Sequence, residues 1–478
     1  MDYINWQHLA VGYRNKNQNR RLKEKRSSYQ YSKSGTPAFP QNIVLRSYQH
    51  QAIANWLENK GRGTLKMATG SGKTIIALAI ATELYQQIGL QALIVVCPYR
   101  HLVNQWSREC EKFSLQAIAA MGKSQDWQGK LTSQLYRCSQ QPQSFLTIVT
   151  TNSTFISEGF QSQLKYFPAK TLIVGDEAHN LGSIRLEASL PRSLGLRLAL
   201  SATPERQYDE VGTEALLNYF GEIIQPEFSL ADAIQQGALA RYSYYPIFVE
   251  LTNSEALTYA RLTKRIGWAL SKNNSLQNND LLTSLLTKRS RLVATAANKL
   301  DSLRELMSSR LDTSHTLFYC GDGYLENDRR QIDAVTHILG KELGYRVNTY
   351  TTDTPIEQRE KLRLQFESGE LQGLVAIRCL DEGIDIPAIE TAVILASTSN
   401  PRQFIQRRGR ILRPHPQKQQ ATLYDTIVVP PNLDRDTWEI EKNLLRKELI
   451  RFMTFAEIAD NAPEAISKLL QLQDRYQL

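Results

Sequence analysis

Short apolar runs recur along this chain, and most of them end in a turn or a polar motif. They are residues 92–97, 145–151, 171–179 and 196–204 in the first half, and 316–320, 345–350, 373–377 and 391–396 in the second. Stretches with helical periodicity lie between them. Continuous apolar runs of this length are typical of parallel strands that are buried on both faces. The sequence therefore predicts an α/β fold in which helices cover parallel sheets, and the two series of runs predict two such domains.

The order of these segments predicts where the domains lie. A polar arm spans residues 1–41, the first α/β domain 42–225 and the second α/β domain 311–431. Residues 226–310 are more polar and include the Asn- and Gln-rich stretch 271–280, so we interpret them as a helical linker or insert. Residues 432–478 have mixed charge and helical periodicity, and they predict a helical tail.

Composition excludes several classes of protein. Hydrophobic residues make up 42% of the 478 residues and charged residues 22%, which is ordinary for a globular chain and not for a disordered or fibrous one. No apolar run approaches the roughly 18 residues that a membrane helix needs. Five cysteines include no CxxC pair, so we expect neither zinc nor disulfides. The composition favours a cytoplasmic protein.

Positive charge is concentrated at the start of the chain. The formal net charge is +9, and residues 1–36 carry +6 of it. The remaining 442 residues are close to neutral. We therefore expect the arm to be mobile or only partly helical, and to act as a salt-sensitive tether separate from the folded body.

Residues 68–74 read ATGSGKT, between a short strand around 65–67 and an apolar helix. In such a loop the glycines let backbone N–H groups approach phosphate oxygens, and the helix N-terminus adds partial positive charge. The candidate ligands of ATP are Thr69, Gly70, Ser71, Gly72, Lys73 and Thr74. Lys73 would reach the β- and γ-phosphates, and Thr74 would bind Mg²⁺. Met67 stands where the usual pattern has glycine, and an incidental glycine-rich turn is the alternative.

Residues 176–179 read DEAH and follow the apolar run LIVG. Their carboxylates are therefore predicted at the carboxyl end of a strand, the edge where open α/β sheets bind ligands. Asp176 is the candidate partner of Mg²⁺, and Glu177 is the candidate base that activates water. The alternative is a helix N-cap with favourable acidic charge in its first turn.

Together these motifs resemble a known family. Residues 45–49 (LRSYQ), ATGSGKT, DEAH, 201–203 (SAT) and 406–414 (QRRGRILRP) stand in the order seen in superfamily 2 helicases. The chain is most similar to the branch that holds XPB-type repair helicases and the motors of restriction systems. The similarity covers about residues 42–430. It implies two tandem RecA-like domains, with ATP between them and nucleic acid across their top.

The resemblance also implies roles for individual residues. Gln49 and Arg46 would contact the adenine, and Gly383 and Asp385 the nucleotide from the second domain. Catalytic residues would be Lys73, Asp176, Glu177, Gln406, Arg410 and Arg413, the last two as arginine fingers. Ser201 and Thr203 would couple hydrolysis to domain motion. Nucleic-acid contacts would be Arg100, Thr151, Asn152 and Arg378, for which ordinary surface polarity is the alternative.

The function that follows is an ATP- and Mg²⁺-dependent DNA helicase or translocase in DNA restriction or repair, acting near the nucleoid. An RNA-directed helicase and a nucleotide-gated subunit that recruits a separate nuclease are the alternatives. Too little chain lies beyond the motor for a nuclease domain of ordinary size, so a nuclease or modification subunit is a candidate partner. A narrower hypothesis is a role in restriction of phosphorothioated DNA.

Overall fold

The computed structural model describes residues 4–22, 35–141, 143–206, 209–272, 280–325, 328–351, 354–377, 386–396, 409–429 and 438–476. The chain divides into two compact units, Met1–Ser229 and Leu230–Leu478. This division lies within a few residues of the predicted start of the linker at residue 226. Each unit is built on one sheet of its own.

Unit 1 contains a six-stranded sheet in the order β1-β6-β5-β2-β4-β3, with all neighbouring strands parallel. Its strands are β1 Arg62–Lys66, β2 Ala92–Cys97, β3 Ala117–Ala120, β4 Leu146–Thr151, β5 Thr171–Asp176 and β6 Leu196–Ser201. Every residue of β2, β4, β5 and β6 is buried, as the unbroken apolar runs predict. The first strand is adjacent to the last one, so β1 joins the sheet through β6.

The helices of unit 1 surround this sheet. They are α1 Trp6–Leu22, α2 Ser47–Glu58, α3 Lys73–Ile88, α4 Arg100–Lys112, α5 Gln128–Gln140, α6 Asn152–Phe155, α7 Glu158–Gln161, α8 Ile184–Ala188 and α9 Glu210–Phe220. Short 3₁₀ turns cover Ser124–Asp126, Leu164–Tyr166 and Ala178–Gly182. Aromatic rings fill the core on one face of the sheet, among them Trp127, Phe155 and Phe160.

The N-terminal arm agrees with the expectation of partial helicity, but its helix packs on the body of unit 1 and is not separate from it. Residues 6–22 form helix α1, which packs on α2. Tyr13 is 6% exposed and its hydroxyl lies 3.0 Å from His50 Nδ1, while Arg14 and Glu58 form an ion pair at 2.8 Å. The small or aromatic side chains of Ala10 and Tyr13 supply a buried stripe that the overall polarity of the arm conceals. The second half of the arm, residues 23–34, lies outside the described residues.

Unit 2 contains a second all-parallel sheet of six strands, in the order β7-β12-β11-β8-β10-β9. Its strands are β7 Arg241–Glu250, β8 Thr316–Cys320, β9 Val347–Tyr350, β10 Gly373–Ile377, β11 Thr391–Ile394 and β12 Gln420–Val429. Strand β7 belongs to the segment interpreted as a helical linker. It pairs over ten residues with β12, so β7 is the edge strand of this sheet.

The helices of unit 2 are α10 Leu230–Gln235, α11 Asn253–Lys272, α12 Asp280–Ala294, α13 Asn298–Ser308, α14 Gln331–His337, α15 Ile356–Glu367, α16 Trp438–Glu457 and α17 Ala462–Tyr476. A π-helical turn, Ile338–Glu342, continues α14. The last two helices pack against β7: Tyr242 donates a hydrogen bond to the carbonyl of Phe455, and Asn461 accepts one from Tyr244 N. The tail is therefore part of unit 2.

Two six-stranded parallel sheets with flanking helices confirm the predicted α/β class and the tandem RecA-like architecture. Among the described residues, none of the helices combines the length and the apolarity that crossing a bilayer requires.

Candidate active site

The predicted site residues of unit 1 converge at the carboxyl edge of its sheet. The loop 68–74 follows β1, Ser201 ends β6, Asp176 ends β5 and Thr151 ends β4. The register places Lys66 beside Ser201, and Asp176 beside Leu200. Because parallel strands end at one edge, motifs that are about 130 residues apart in sequence become neighbours here.

The loop before α3 has the conformation of a phosphate cradle. Gly70 and Gly72 both have left-handed backbones, with φ of +86° and +82°. Met67 N donates to Ser201 O at 2.9 Å and Ala68 N to Phe228 O at 2.8 Å, which holds the start of the loop on the sheet. Lys73 is 9% exposed, and its ammonium donates to the carbonyls of Met67 and Ala68 at 3.1 and 3.3 Å. Methionine is compatible with this loop conformation because residue 67 acts through its backbone: its N–H donates to Ser201 O, and its carbonyl accepts from Lys73.

Helix α2 holds the loop from the other side. Gln49 Oε1 accepts from Arg46 N at 2.9 Å, which caps the helix, and Gln49 Nε2 donates to Ser71 O at 3.2 Å. Tyr48 donates to the same carbonyl at 2.7 Å and stacks on Phe228 at 3.9 Å between ring centroids. Burial raises the pKa of Tyr48, so its hydroxyl remains a donor. Arg46 itself is exposed.

The loop has the polar atoms that a nucleotide phosphate would need. Thr69 Oγ1 and Ser71 Oγ are buried and, within the described part of the chain, have no hydrogen-bond partner. Buried hydroxyls are rarely left in this state unless a ligand or water satisfies them. A Cβ at Gly72 would lie 2.5 Å from Gln49 Nε2, so only glycine lets the backbone pass this close to Gln49. Thr74 lies half-buried in the first turn of α3. These residues therefore fit a bound nucleotide with Mg²⁺.

The carboxylate of Asp176 is fixed by two donors. Trp106 Nε1 donates to Oδ2 at 2.8 Å, and the backbone N–H of Glu177 donates to Oδ1 at 3.0 Å. Asp176 is 9% exposed and Trp106 only 1%. Hydrogen bonds to an ionised carboxylate are stronger than neutral ones, so this rotamer is well defined.

Glu177 has an unusual backbone. Its φ of +46° is left-handed, a conformation that costs a non-glycine residue about 1–3 kcal/mol and that clusters at functional sites. Its carboxylate lies 3.6 Å from His179 Nδ1, and His179 Nδ1 lies 3.3 Å from Ser201 Oγ. Ser201 Oγ also accepts from Thr203 N at 3.1 Å. The DEAH and SAT motifs are thus one connected polar network.

Arg206 extends this network toward α9. Its guanidinium donates to the carbonyl of His179 and to Asp209 Oδ2, the latter at 2.6 Å. Asp209 in turn caps α9 by accepting from Gly212 N at 2.8 Å. A shift of the loop after β6 would therefore move the DEAH segment as well.

The predicted nucleic-acid residues of unit 1 differ in exposure. Arg100 is exposed at the start of α4, with Nη2 2.7 Å from where a Cβ of Gly122 would lie. Thr151 is 4% exposed and caps α6 by accepting from Thr154 N at 3.3 Å. Asn152 has a buried Oδ1 that lacks a hydrogen-bond partner among the described residues. Their contacts with nucleic acid stay a prediction.

In unit 2, Arg410 lies in the helical residues 409–411, whereas Arg413 lies just beyond their end, on a tightly held segment. Arg410 is 8% exposed. Lys418 donates to the carbonyls of Ile411 and Arg413, and Ala240 N donates to Leu412 O at 2.7 Å. Burial lowers the pKa of Lys418 to about 8. Three successive carbonyls after Arg410 are therefore anchored, and the roles of Arg410 and Arg413 stay predictions.

Four predicted site residues, Arg378, Gly383, Asp385 and Gln406, lie outside the described residues. Conversely, Tyr48, Trp106, His179 and Lys418 make contacts that sequence reasoning missed. Trp106 belongs to the apolar stripe of α4, so it was indistinguishable from a core residue in the sequence. Tyr48 and His179 lie within the LRSYQ and DEAH motifs, which was the available signal for them, and Lys418 lies four residues after the last residue of QRRGRILRP.

Comparisons with known proteins agree with this arrangement. Residues 42–206 match the family model described as "Type III restriction enzyme, res subunit", and residues 298–415 match "Helicase conserved C-terminal domain". A "DNA 3'-5' translocase XPB2" of Sulfurisphaera tokodaii is 28% identical over 396 residues, which are 79% of this chain and 80% of that protein. The chain spans 62 to 64% of the length of three other curated relatives.

Two solved structures share the fold. The "ATP-dependent Type ISP restriction-modification enzyme LlaBIII bound to DNA" superposes with a TM-score of 0.57 and 18% identity, covering 87% of this chain and 30% of that one. The Hef helicase domain of Pyrococcus furiosus superposes with a TM-score of 0.51 and 16% identity, covering 84% and 98%. The two family matches and the relatives named as XPB-type enzymes are consistent with the superfamily 2 helicases, in the branch of the XPB-type helicases and restriction-system motors.

Proposed function

We propose that this protein is an ATP-dependent DNA translocase or helicase. The observation that carries the proposal is the carboxyl edge of the sheet in unit 1. There the phosphate loop follows β1, while the doubly held Asp176 and the strained Glu177 stand at the end of β5, and β6 with Ser201 lies between the two strands. The family relatives named as DNA translocases and helicases support it.

Each residue has a role that its surroundings support. The loop 69–72 offers to phosphate oxygens its backbone N–H groups and two hydroxyls that have no partner among the residues that the structure describes, and Lys73 adds a positive charge. Thr74 and Asp176 would hold Mg²⁺, which neutralises phosphate charge when bound. Glu177 would orient or deprotonate water, with His179 beside its carboxylate. Because His179 contacts Ser201, a change at Glu177 is transmitted to the SAT motif.

The test compares two variants with the wild type. Lys73→Ala should lose nucleotide affinity and ATP hydrolysis together. Glu177→Gln should retain nucleotide binding but lose about a hundredfold or more of the hydrolysis rate, since it removes the general base alone. Phosphate release with and without DNA measures the rate, and a fluorescent nucleotide analogue measures binding. Unchanged turnover in both variants would rule out the proposal.

The same assay shows whether the protein acts on DNA or on RNA. Single-stranded DNA, duplex DNA and RNA are compared at one fixed salt concentration, because non-specific affinity varies steeply with salt. Stimulation by RNA alone would establish the RNA-directed alternative. Very slow wild-type turnover, with ATP-dependent capture of a nuclease in Glu177→Gln, would establish the recruiting alternative.

The finer parts of the proposal concern the pathway. We place the protein in DNA restriction or repair near the nucleoid, with a separate nuclease or modification subunit as its partner. Restriction of phosphorothioated DNA stays the narrower hypothesis. Modification genes beside this one in the genome would support restriction, and repair genes would favour an XPB-like role.

A further inference from the structure

Trp106 connects helix α4 with the DEAH motif at the end of β5. It stands six residues into α4, the helix that begins at the exposed Arg100. Its indole N–H donates at 2.8 Å to Asp176 Oδ2, at the end of β5. Strands β2 and β5 are paired, so α4, which follows β2, lies next to this carboxylate.

Both partners of this hydrogen bond are buried. Trp106 is 1% exposed and Asp176 9%. Cys97, at the end of β2, is fully buried, and burial together with the Asp176 charge raises the pKa of its thiol. In such surroundings one donor to a carboxylate oxygen has a large effect, because water cannot replace it.

We infer that Trp106 is a positioning residue for the metal-binding carboxylate: its indole N–H fixes Asp176, and α4 connects that carboxylate to the nucleic-acid end of unit 1. The inference rests on the proposed function, in which Asp176 holds Mg²⁺. It assigns to this tryptophan a role beyond filling the core.

The chain offers a matched control for simple packing. Trp127 is another buried tryptophan of the same unit, 2% exposed and packed on Phe160. Its indole N–H has no hydrogen-bond partner within the described residues. Trp127→Phe therefore removes the same volume as Trp106→Phe without removing a hydrogen bond to a carboxylate.

The first measurement is the Mg²⁺ requirement of ATP hydrolysis at saturating ATP and DNA. Trp106→Phe should raise the Mg²⁺ concentration for half-maximal rate by roughly tenfold, as is usual when an outer-shell partner of a metal ligand is lost. Trp127→Phe should leave it unchanged. Equal Mg²⁺ requirements in folded Trp106→Phe and Trp127→Phe would overturn this inference but leave the proposed function standing. Absence of hydrolysis in the wild type would remove the proposed function and this inference with it.

The second measurement does not depend on turnover. The six tryptophans give six indole N–H resonances in an NMR spectrum, and single Trp→Phe variants of the other five assign the Trp106 resonance by elimination. Asp176→Asn should shift the Trp106 resonance without nucleotide, because the charged acceptor is lost, and should leave Trp127 in place. Mg²⁺–ADP and a short DNA duplex should each shift Trp106 in the wild type. A Trp106 resonance that ignores both ligands would overturn the inference, even where Trp106→Phe fails to fold.

Discussion

Gly72 is a position of the phosphate loop that cannot accept a side chain without strain. Its φ is +82°, and a Cβ there would lie 2.5 Å from Gln49 Nε2. We predict that Gly72→Ala costs about 1–2 kcal/mol in backbone strain alone and displaces Gln49. Nucleotide affinity should fall about tenfold or more, as measured with a fluorescent nucleotide analogue.

Gly129 provides the control for this substitution. It lies in helix α5 with open space around its Cα. Gly129→Ala should change the melting temperature little or raise it, since alanine favours a helix. Equal nucleotide affinities for the two variants would contradict the assigned role of Gly72.

Lys299 should make the stability of unit 2 depend on pH. Burial lowers its pKa to about 7, although the charges of Asp425 and Glu255 oppose the shift. Between pH 7 and about 10 the unfolded chain holds a proton that the folded chain has released. The free energy of unfolding should therefore rise with pH, by up to about 1.4 kcal/mol per pH unit.

Comparison with Lys299→Met isolates this effect, because the two proteins differ in one titrating group. The melting temperature of the wild type, measured by calorimetry, should rise relative to that of the variant as the pH increases from 7 to 10. Parallel pH profiles would show that Lys299 keeps its proton inside the fold.

At the scale of elements, α1 matters for the nucleotide site because it supports α2. Tyr13 is 6% exposed and contacts His50, one residue from Gln49. We predict that Tyr13→Ala lowers the free energy of unfolding of unit 1 by about 3 kcal/mol, as for other buried aromatic side chains. The Michaelis constant for ATP should increase because α2 is loosened.

Val11 lies on the same helix and is 52% exposed, so Val11→Ala is the matched substitution. It should stay within about 0.5 kcal/mol of the wild type. Thermal unfolding and ATP hydrolysis measured on both variants check the prediction. Identical effects would mean that α1 does not act through its buried face.

The sequence predicted an element correctly where the residues of that element alone determine it, and failed where a distant segment does. The apolar runs 92–97, 316–320 and 373–377 coincide with β2, β8 and β10, because burial on both faces requires apolar side chains throughout. Strand β7 escaped because it contains Pro246 and is only partly buried, as an edge strand can be. Its partner β12 lies about 170 residues away, and a single sequence does not display such a pairing.

The site shows the same division. Lys73, Asp176 and Glu177 were predicted because their chemistry depends on short spacings next to a strand. The donor to Asp176 was not, since Trp106 comes from another strand–helix unit and its hydrogen bond depends on the sheet order. Helix α1 was concealed by its charged face, although Ala10 and Tyr13 are buried.

At the scale of the whole molecule, the effect of the positive charge of the arm on DNA binding can be tested without disturbing the packing of α1. Lys23, Lys25 and Arg26 follow the last residue of α1 and contribute to the +6 of residues 1–36. Replacing these three by Gln should make the dependence of log affinity for DNA on log salt shallower by about 2 to 3 units. Affinity at low salt should fall, while ATP hydrolysis at saturating DNA should stay unchanged.

The control replaces Lys130, Arg137 and Lys165, cations of the unit 1 body, by Gln. It changes the net charge equally, so an identical loss of salt dependence would show that total charge, and not the arm, is responsible. Fluorescence anisotropy of labelled DNA at several salt concentrations measures both variants.

The strand order of unit 1 also has a consequence for biosynthesis. Strand β1 emerges first from the ribosome, yet its sheet neighbour is β6, and the loop after β1 is held by Ser201 O and Phe228 O. The phosphate loop therefore lacks its anchors until about residue 228 has been made. We therefore expect chains that end before about residue 228 to bind ATP more weakly than the full chain, so that nucleotide contributes little to their folding. The order of the strands thus delays the nucleotide site until nearly all of unit 1 has been made.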